Sequence, residues 1–176
     1  MQPPQSCTTI AIHVKELLSD ITGYCNSVAE GYKSTQPGNE PDVSLTEDVL
    51  EDENMSLTER TIHRLITECM LMLRPFTKVE LQARYKDNLQ KHIEQYVMLL
   101  RFNEPRDEIQ VSNLTAMIHE YIVKRTCYEW VALTLPQAQR QQEELLNEAE
   151  MAKGQVKYTL AEPVHPRRQR VTAWGF

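Results

Sequence analysis

Residues 112–136, SNLTAMIHEYIVKRTCYEWVALTLP, decide the fold of this chain. Apolar side chains recur here at spacings of three and four residues, which is the period of a buried helix face. Ser112 or Asn113 is expected to cap the helix, because a short polar side chain can accept a hydrogen bond from a free backbone N–H there. The stretch therefore predicts a long core helix that ends before Pro136. Its core face comprises Leu114, Met117, Ile118, Tyr121, Ile122, Cys127 and Val131.

A further helix is predicted over residues 136–160, because proline is tolerated in a first helical turn, where its missing N–H costs nothing. Its apolar line is thin and the rest of its surface is polar, so we expect it to project from the core or to lie along a neighbour. That line consists of Ala138, Leu145, Leu146, Ala149, Ala152 and Val156.

Two more helices are predicted nearer the N terminus, after a loose start over the first ten residues. One runs from Ile10 and fades near Gly31, with Val14, Leu17, Leu18, Ile21, Tyr24, Cys25 and Val28 on its apolar stripe. The other opens at SLTE, residues 56–59, a capping-box pattern, and ends at Arg74-Pro75. Its predicted core face is Leu57, Ile62, Leu65, Ile66, Cys69, Met70 and Leu73. An identical SLTE at 44–47 would start only a short helix.

The segment between these helices has two interpretations. VELQARY (79–85) and YVMLLRF (96–102) are rich in aromatic and branched residues, and Asp87-Asn88 between them can form a turn. We therefore favour a β-hairpin at 79–102 over one long helix. The expected fold class is mainly α: a helical bundle core with a possible β-hairpin and extended terminal arms. Residues 1–162 would form a single helical domain with an acidic loop at 35–55.

The last fourteen residues, 163–176, hold three arginines and no acid, although the whole chain has a formal charge of −6. Two prolines disfavour a helix, so we expect an extended basic and aromatic C-terminal arm. Large aromatic residues often anchor protein interfaces, which favours docking on a protein. A tail without function and a nucleic-acid contact are the alternatives. The predicted partner-binding residues are Arg167, Arg168, Arg170, Trp174 and Phe176.

The charge of opposite sign lies in residues 40–54, which hold seven acids and no base. A solvated acidic loop is the simplest interpretation, and a patch that contacts a neighbouring subunit is the functional one. A calcium site is disfavoured because the order of ligands in an EF-hand loop is missing. The candidate inter-subunit residues are Glu47, Asp48, Glu51, Asp52 and Glu53.

No motif for chemistry is readable. The chain has five glycines and no phosphate-binding loop, and its five histidines form no H-E-x-x-H and no clustered ligand set. We therefore expect no enzyme activity, no cofactor and no metal. The four cysteines lie far apart without a C-x-x-C pair, which predicts free thiols in a reducing compartment. The apolar runs are too short to cross a bilayer, so no membrane partner is expected.

The order of several stretches resembles the small, mostly helical proteins that form head-tail connector rings of tailed bacteriophages, particularly phages of Bacteroides-like bacteria. The resemblance covers roughly residues 57–176. It is carried by YVMLLRFNEPRDE (96–108), IHEYIVKRTCYEWVALTLPQAQ (118–139), a polar helix, and the closing PRRQRV and terminal phenylalanine. Such connector proteins are often purely helical, so the hairpin at 79–102 is a departure from that pattern.

The resemblance implies a non-enzymatic virion protein, assembled in the bacterial host cytoplasm. Copies would form a ring and bind portal, neck or tail components. The arm at 163–176 would dock on an adjoining protein, with Trp174 and Phe176 as anchors. The acidic segment would face either a neighbouring subunit or the channel that holds packaged DNA.

Two other classes of function remain open from the sequence. The chain could be a cytoplasmic helical adaptor or a nucleic-acid-associated accessory protein, which would bind through its tail in a salt-sensitive way. An enzyme would need a concave pocket with perturbed titratable groups, for example around His63, Glu68 or His119.

Overall fold

The computed structural model describes residues 6–35, 52–85, 93–102 and 106–161. Three strands and four helices follow one another in these ranges. In chain order they are β1 (Ser6–His13), α1 (Val14–Thr35), α2 (Asp52–Leu73), β2 (Lys78–Tyr85), β3 (Ile93–Phe102), α3 (Glu108–Thr134) and α4 (Gln139–Ala161). The chain is mainly α with a small antiparallel sheet, as the sequence predicts.

The three strands form one antiparallel sheet in the order β1-β3-β2. Along β1, Ser6 lies opposite Phe102 and His13 lies opposite Gln95 of the central strand. Side chains of successive residues point to opposite faces of a sheet. One face carries Ile10, Ile12, Tyr96, Met98 and Leu100, all of which are buried.

A helical layer covers this buried face. Helix α3 contacts β1, α1 contacts β3, and α2 contacts β2. Helix α4 packs along α3 through Leu145, Ala149, Ala152, Val156 and Leu160. The thin apolar line of the last helix therefore lies along a neighbouring helix, which was one of its two predicted placements.

The predicted hairpin is confirmed. Strands β2 and β3 pair antiparallel, with Lys78 opposite Arg101 and Tyr85 opposite Ile93, so the alternative of one long helix is wrong. The β-branched and aromatic residues of β3 suit a pleated strand that is half buried. The predicted turn at Asp87-Asn88 lies outside the described residues.

The predicted start of the chain is wrong. Residues Ser6–His13 form β1 instead of a loose start followed by helix from Ile10, and α1 begins only at Val14. Ile10 and Ile12 are buried two residues apart, which is the period of a strand, and their branched side chains favour that conformation. Helix α1 also continues beyond Gly31 to Thr35.

The predicted start of α2 is wrong as well. The helix begins at Asp52, so the SLTE at 56–59 lies inside it, and the acidic loop predicted for 35–55 does not extend over 52–55. Leu57, predicted to be in the core, is 42% exposed, whereas Thr58 is buried. Acidic residues are favoured in the first turn of a helix because of the helix dipole, and the sequence places Asp52 and Glu53 there. The predicted end at Arg74-Pro75 is confirmed.

Helix α3 is capped by Asp107, and neither Ser112 nor Asn113 is its cap. The Gln110 backbone N–H donates to Asp107 Oδ1 at 2.7 Å, and the Asp107 backbone N–H donates to Gln110 Oε1 at 3.4 Å. This reciprocal pair is a capping box of the D-x-x-Q type. The end of α3 before Pro136 is confirmed, and α4 begins three residues later than predicted, at Gln139.

Candidate interaction surface

Strand β1 lies at one edge of the sheet and β2 lies at the other. Both strands run antiparallel to β3, so they are parallel to each other. Among the described residues no further strand pairs with the free edge of either one. A free edge presents unpaired backbone N–H and C=O groups, which makes it a template for pairing with another chain.

The two edges differ in charge. Strand β2 carries Lys78, Glu80 and Arg84 on the face that points away from the helices, and all three are exposed. Strand β1, SCTTIAIH, contains no Asp, Glu, Lys or Arg over its eight residues. Charged side chains, lysine above all, are the usual protection of an edge strand against pairing. The edge formed by β1 lacks that protection.

The outer face of the sheet continues this uncharged surface. Thr9 and Ala11 of β1 are exposed, and they lie opposite Leu99 and Val97 of the central strand. On the other side of β3, Arg101 Nη2 lies 3.1 Å from Glu80 Oε1. The outer face is therefore weakly polar towards β1 and charged towards β2. We call the free edge of β1 together with Thr9 and Ala11 the β1 surface.

A groove between α1 and α3 forms a second candidate surface. Its volume is about 880 Å³. Small side chains leave this space open, and no heavy atom lies within 4 Å of the position that a Cβ at Gly23 would occupy. The small residues that line the groove are Ser19, Gly23 and Ser27 of α1 and Ser112, Thr115 and Ala116 of α3.

Paired polar side chains surround this groove. His119 Nε2 lies 2.8 Å from Asp20 Oδ2, so the pair joins α3 to α1. Lys124 Nζ lies 2.7 Å from Glu120 Oε1 and 3.5 Å from Glu148 Oε2 on α4. Partial burial alone would lower the pKa of Lys124, but the hydrogen bond to Glu120 and the two carboxylates outweigh it and raise that pKa. Lys124 therefore remains charged and joins α3 to α4.

Tyr24 lines the groove and links α1 to α4. The Tyr24 hydroxyl donates a hydrogen bond to the Glu148 carboxylate. Burial raises the pKa of Tyr24, and the hydrogen bond to Glu148 raises it further. Tyr24 is consequently a neutral donor at neutral pH, and its role here is to hold α1 against α4.

The three titratable residues named for the enzyme alternative have separate partners. His63 Nδ1 lies 3.2 Å from the Tyr96 hydroxyl, and His119 pairs with Asp20. Glu68 Oε1 accepts a hydrogen bond from Lys153 Nζ at 2.7 Å. Of the three residues, only His119 lines the groove between α1 and α3.

Glu68 belongs to a polar cluster that connects α2, α3 and α4. Partial burial alone would raise the pKa of Glu68, but hydrogen bonds from Lys153 and Tyr121 outweigh it, so that pKa is lowered. Burial raises the pKa of Tyr121, and its hydrogen bond to Glu68 adds to the effect. Arg64 adds a link from α2 to α3, since its Nη2 lies 2.5 and 2.6 Å from the two carboxylate oxygens of Glu129. These contacts hold helices together.

Eight of the ten residues predicted for partner binding lie outside the described ranges. This applies to Arg167, Arg168, Arg170, Trp174 and Phe176 of the arm, and to Glu47, Asp48 and Glu51 of the acidic patch. Asp52 and Glu53 are the first two residues of α2, and their side chains are outside the description. The roles of these ten residues therefore stay predictions.

The β1 surface was missed by reasoning from the sequence. The available signal was the run TTIAI at 8–12, which alternates between apolar and small or polar residues as an edge strand does. The alternation was overlooked because Ile10 was assigned to the apolar stripe of the first helix.

No protein family, no curated protein and no solved structure matches this chain. Within the described ranges, no group of three or more His, Cys, Asp or Glu side chains could hold a metal ion. None of the helices described above is long and apolar enough to cross a bilayer.

Proposed function

We propose that this protein is a non-enzymatic virion protein that forms part of a head-tail connector ring of a tailed phage. The observation that supports this proposal best is the edge of β1, which is eight residues long, contains no Asp, Glu, Lys or Arg, and has no strand paired with it among the described residues. An edge of this kind is a template for pairing with another chain. The resemblance of residues 57–176 to connector proteins implies that this partner is a neighbouring copy of the same chain.

A ring requires two different surfaces on each subunit, because a contact that repeats by rotation joins one patch to another. The free edge of β1 supplies one of these patches, and a different surface of the neighbouring copy supplies the other. In the proposed ring, each copy covers the β1 edge of the next copy.

The proposed ring also uses the terminal arm and the acidic segment. The arm at 163–176 docks on a portal, neck or tail protein, with Trp174 and Phe176 as anchors and the arginines as steering charge. Glu47, Asp48, Glu51, Asp52 and Glu53 face either a neighbouring subunit or the channel for packaged DNA.

Particle assembly with altered chains tests this proposal. Thr9→Lys places a charge on the β1 surface, and Gln155→Lys places the same charge on an exposed position of α4 as a control. We expect Thr9→Lys to reduce incorporation of the protein into particles at least tenfold, whereas Gln155→Lys should assemble as the unchanged chain does. Electron microscopy should show particles with loosened or missing rings at the neck when the chain ends at Ala161.

Two results would contradict the proposal. One is normal incorporation of Thr9→Lys into particles. The other is that the protein is absent from phage particles and that ending the chain at Ala161 changes only its salt-dependent binding of nucleic acid. The second result would instead support the cytoplasmic adaptor or accessory protein.

A further inference from the structure

Two of the four cysteines meet in the core. Cys25 of α1 and Cys127 of α3 are both fully buried, and their Sγ atoms lie 3.0 Å apart. The residues are 102 positions apart in the sequence, so only the packing of α1 on α3 brings them together. The other two cysteines provide internal comparisons, since Cys69 is also buried and Cys7 is exposed.

A disulfide requires a small movement from this arrangement. The bonded distance between two sulfur atoms is about 2.05 Å, so the two Sγ atoms must approach by about 1 Å. Both cysteines lie on helices that already pack against each other. The expectation of free thiols from the sequence rested on their wide spacing, which carries no information about this contact.

We propose that Cys25 and Cys127 form a reversible disulfide that fastens α1 to α3 when the protein meets a low-molecular-weight disulfide such as oxidised glutathione. This inference is independent of the proposed ring. The structure contains the two thiols as neighbours in the reduced form, and oxidation adds one bond without a new contact between elements.

The chemistry is thiol–disulfide exchange in two steps. The thiolate of one cysteine attacks a sulfur atom of the small disulfide, which forms a mixed disulfide and releases one small thiol. The second cysteine then attacks the protein sulfur of the mixed disulfide and releases the other small thiol. In total, two protein thiols are oxidised to one disulfide and the small disulfide is reduced to two thiols.

Burial controls the rate of this exchange. The hydrogen bond with Cys25 and burial both raise the pKa of Cys127, so the thiolate is strongly disfavoured in the closed fold. Burial likewise raises the pKa of Cys69 to about 12. Oxidation therefore proceeds through brief separation of α1 from α3, and it should accelerate in urea concentrations below those that unfold the protein.

The bond would restrict a large part of the unfolded chain. A disulfide that closes a loop of about 100 residues removes much of the conformational entropy of the unfolded state. For a chain of this size, the expected rise of Tm is on the order of 10 °C. The bond would also hold the two helices that form the groove.

The test uses the full chain carrying Cys7→Ser, which removes the exposed thiol. The protein is equilibrated with mixtures of reduced and oxidised glutathione, unfolded in the presence of an alkylating reagent, digested, and analysed by mass spectrometry. We expect a linked pair of peptides that contain Cys25 and Cys127, with Cys69 fully alkylated. Tm should rise on oxidation and return to its reduced value after treatment with a reductant.

A matched pair of variants isolates the response. Cys69→Ser removes another buried thiol and should leave the oxidation and its Tm shift unchanged, whereas Cys127→Ser should abolish both. Because Cys127→Ser could fail to fold, the peptide analysis of the chain with all three buried cysteines decides the question by itself. Alkylation of both Cys25 and Cys127 in every glutathione mixture, or stable glutathione adducts on them, would overturn the proposal.

Discussion

Ile118 and Ile109 lie on the same helix and differ in burial. Ile118 is 0% exposed in the middle of α3, and Ile109 is 71% exposed in its first turn. Replacing each with alanine removes the same three carbon atoms from the same helix. The pair therefore separates the contribution of core packing from that of helix propensity.

The expected loss for Ile118→Ala follows from the buried carbon atoms. Three methylene equivalents at about 0.8 kcal/mol each amount to about 2.4 kcal/mol of transfer free energy. The cavity that remains adds to this, so we expect a loss of about 2–5 kcal/mol in the free energy of unfolding. Ile109→Ala should change it by less than about 0.5 kcal/mol, because the side chain is already in water.

Urea unfolding followed by far-UV circular dichroism measures both values. The urea concentration at the midpoint of unfolding should be clearly lower for Ile118→Ala. The slope of the free energy of unfolding against urea concentration should stay unchanged if the unfolded states are alike. A loss below about 0.5 kcal/mol for Ile118→Ala would show that the face of α3 is misassigned. Equal losses for the two variants would refute the packing of α3 against the sheet and α1.

Three further changes are predicted. Asp107→Ala removes the cap of α3 and should lower the free energy of unfolding by about 0.5–2 kcal/mol in urea titrations; no loss would contradict the capping box. The pKa of Glu68 is lowered, so its stabilisation is present above the pKa of the unfolded chain, about 4.3, and is lost as pH falls through the folded value. Glu68→Gln should therefore make stability less dependent on pH between neutral and acidic solutions, and an unchanged dependence would contradict this role. Replacing Trp174 and Phe176 with alanine should leave Tm unchanged and weaken association with a partner in pull-down assays; unfolding of the isolated double variant would place the arm in the core.

The interiors of the elements could be predicted from the sequence, because their periodicity is strong. Ile118 and Tyr121 recur at helical spacing, and YVMLLRF at 96–102 has the branched and aromatic content of a strand. Both assignments agree with the structure. Local patterns were sufficient for the interiors of these two elements.

The ends of the elements were predicted less well, because several residues can cap one helix. Ser56 has the pattern of a capping box but lies within α2, and α3 was expected to be capped by Ser112 or Asn113, whereas Asp107 caps it. The choice between such caps depends on where the chain enters the core, which is a tertiary property. Ile10 was misplaced because its spacing to Val14 fits a helix and its spacing to Ile12 fits a strand.

Contacts between distant residues could not be predicted from one sequence. The meeting of Cys25 with Cys127 and the pairing of β1 with β3 both join residues that are far apart in the chain. No local pattern contains that information. The roles of the C-terminal arm and the acidic segment stay predictions that rest on composition.

Cryo-electron microscopy of the neck of a phage particle that contains this protein tests the proposed ring most directly. The density should resolve a closed ring of copies in which each subunit covers the β1 edge of its neighbour and the arm at 163–176 reaches an adjoining protein. A particle without this chain, or a ring in which the free edge of β1 faces solvent, would contradict the proposal.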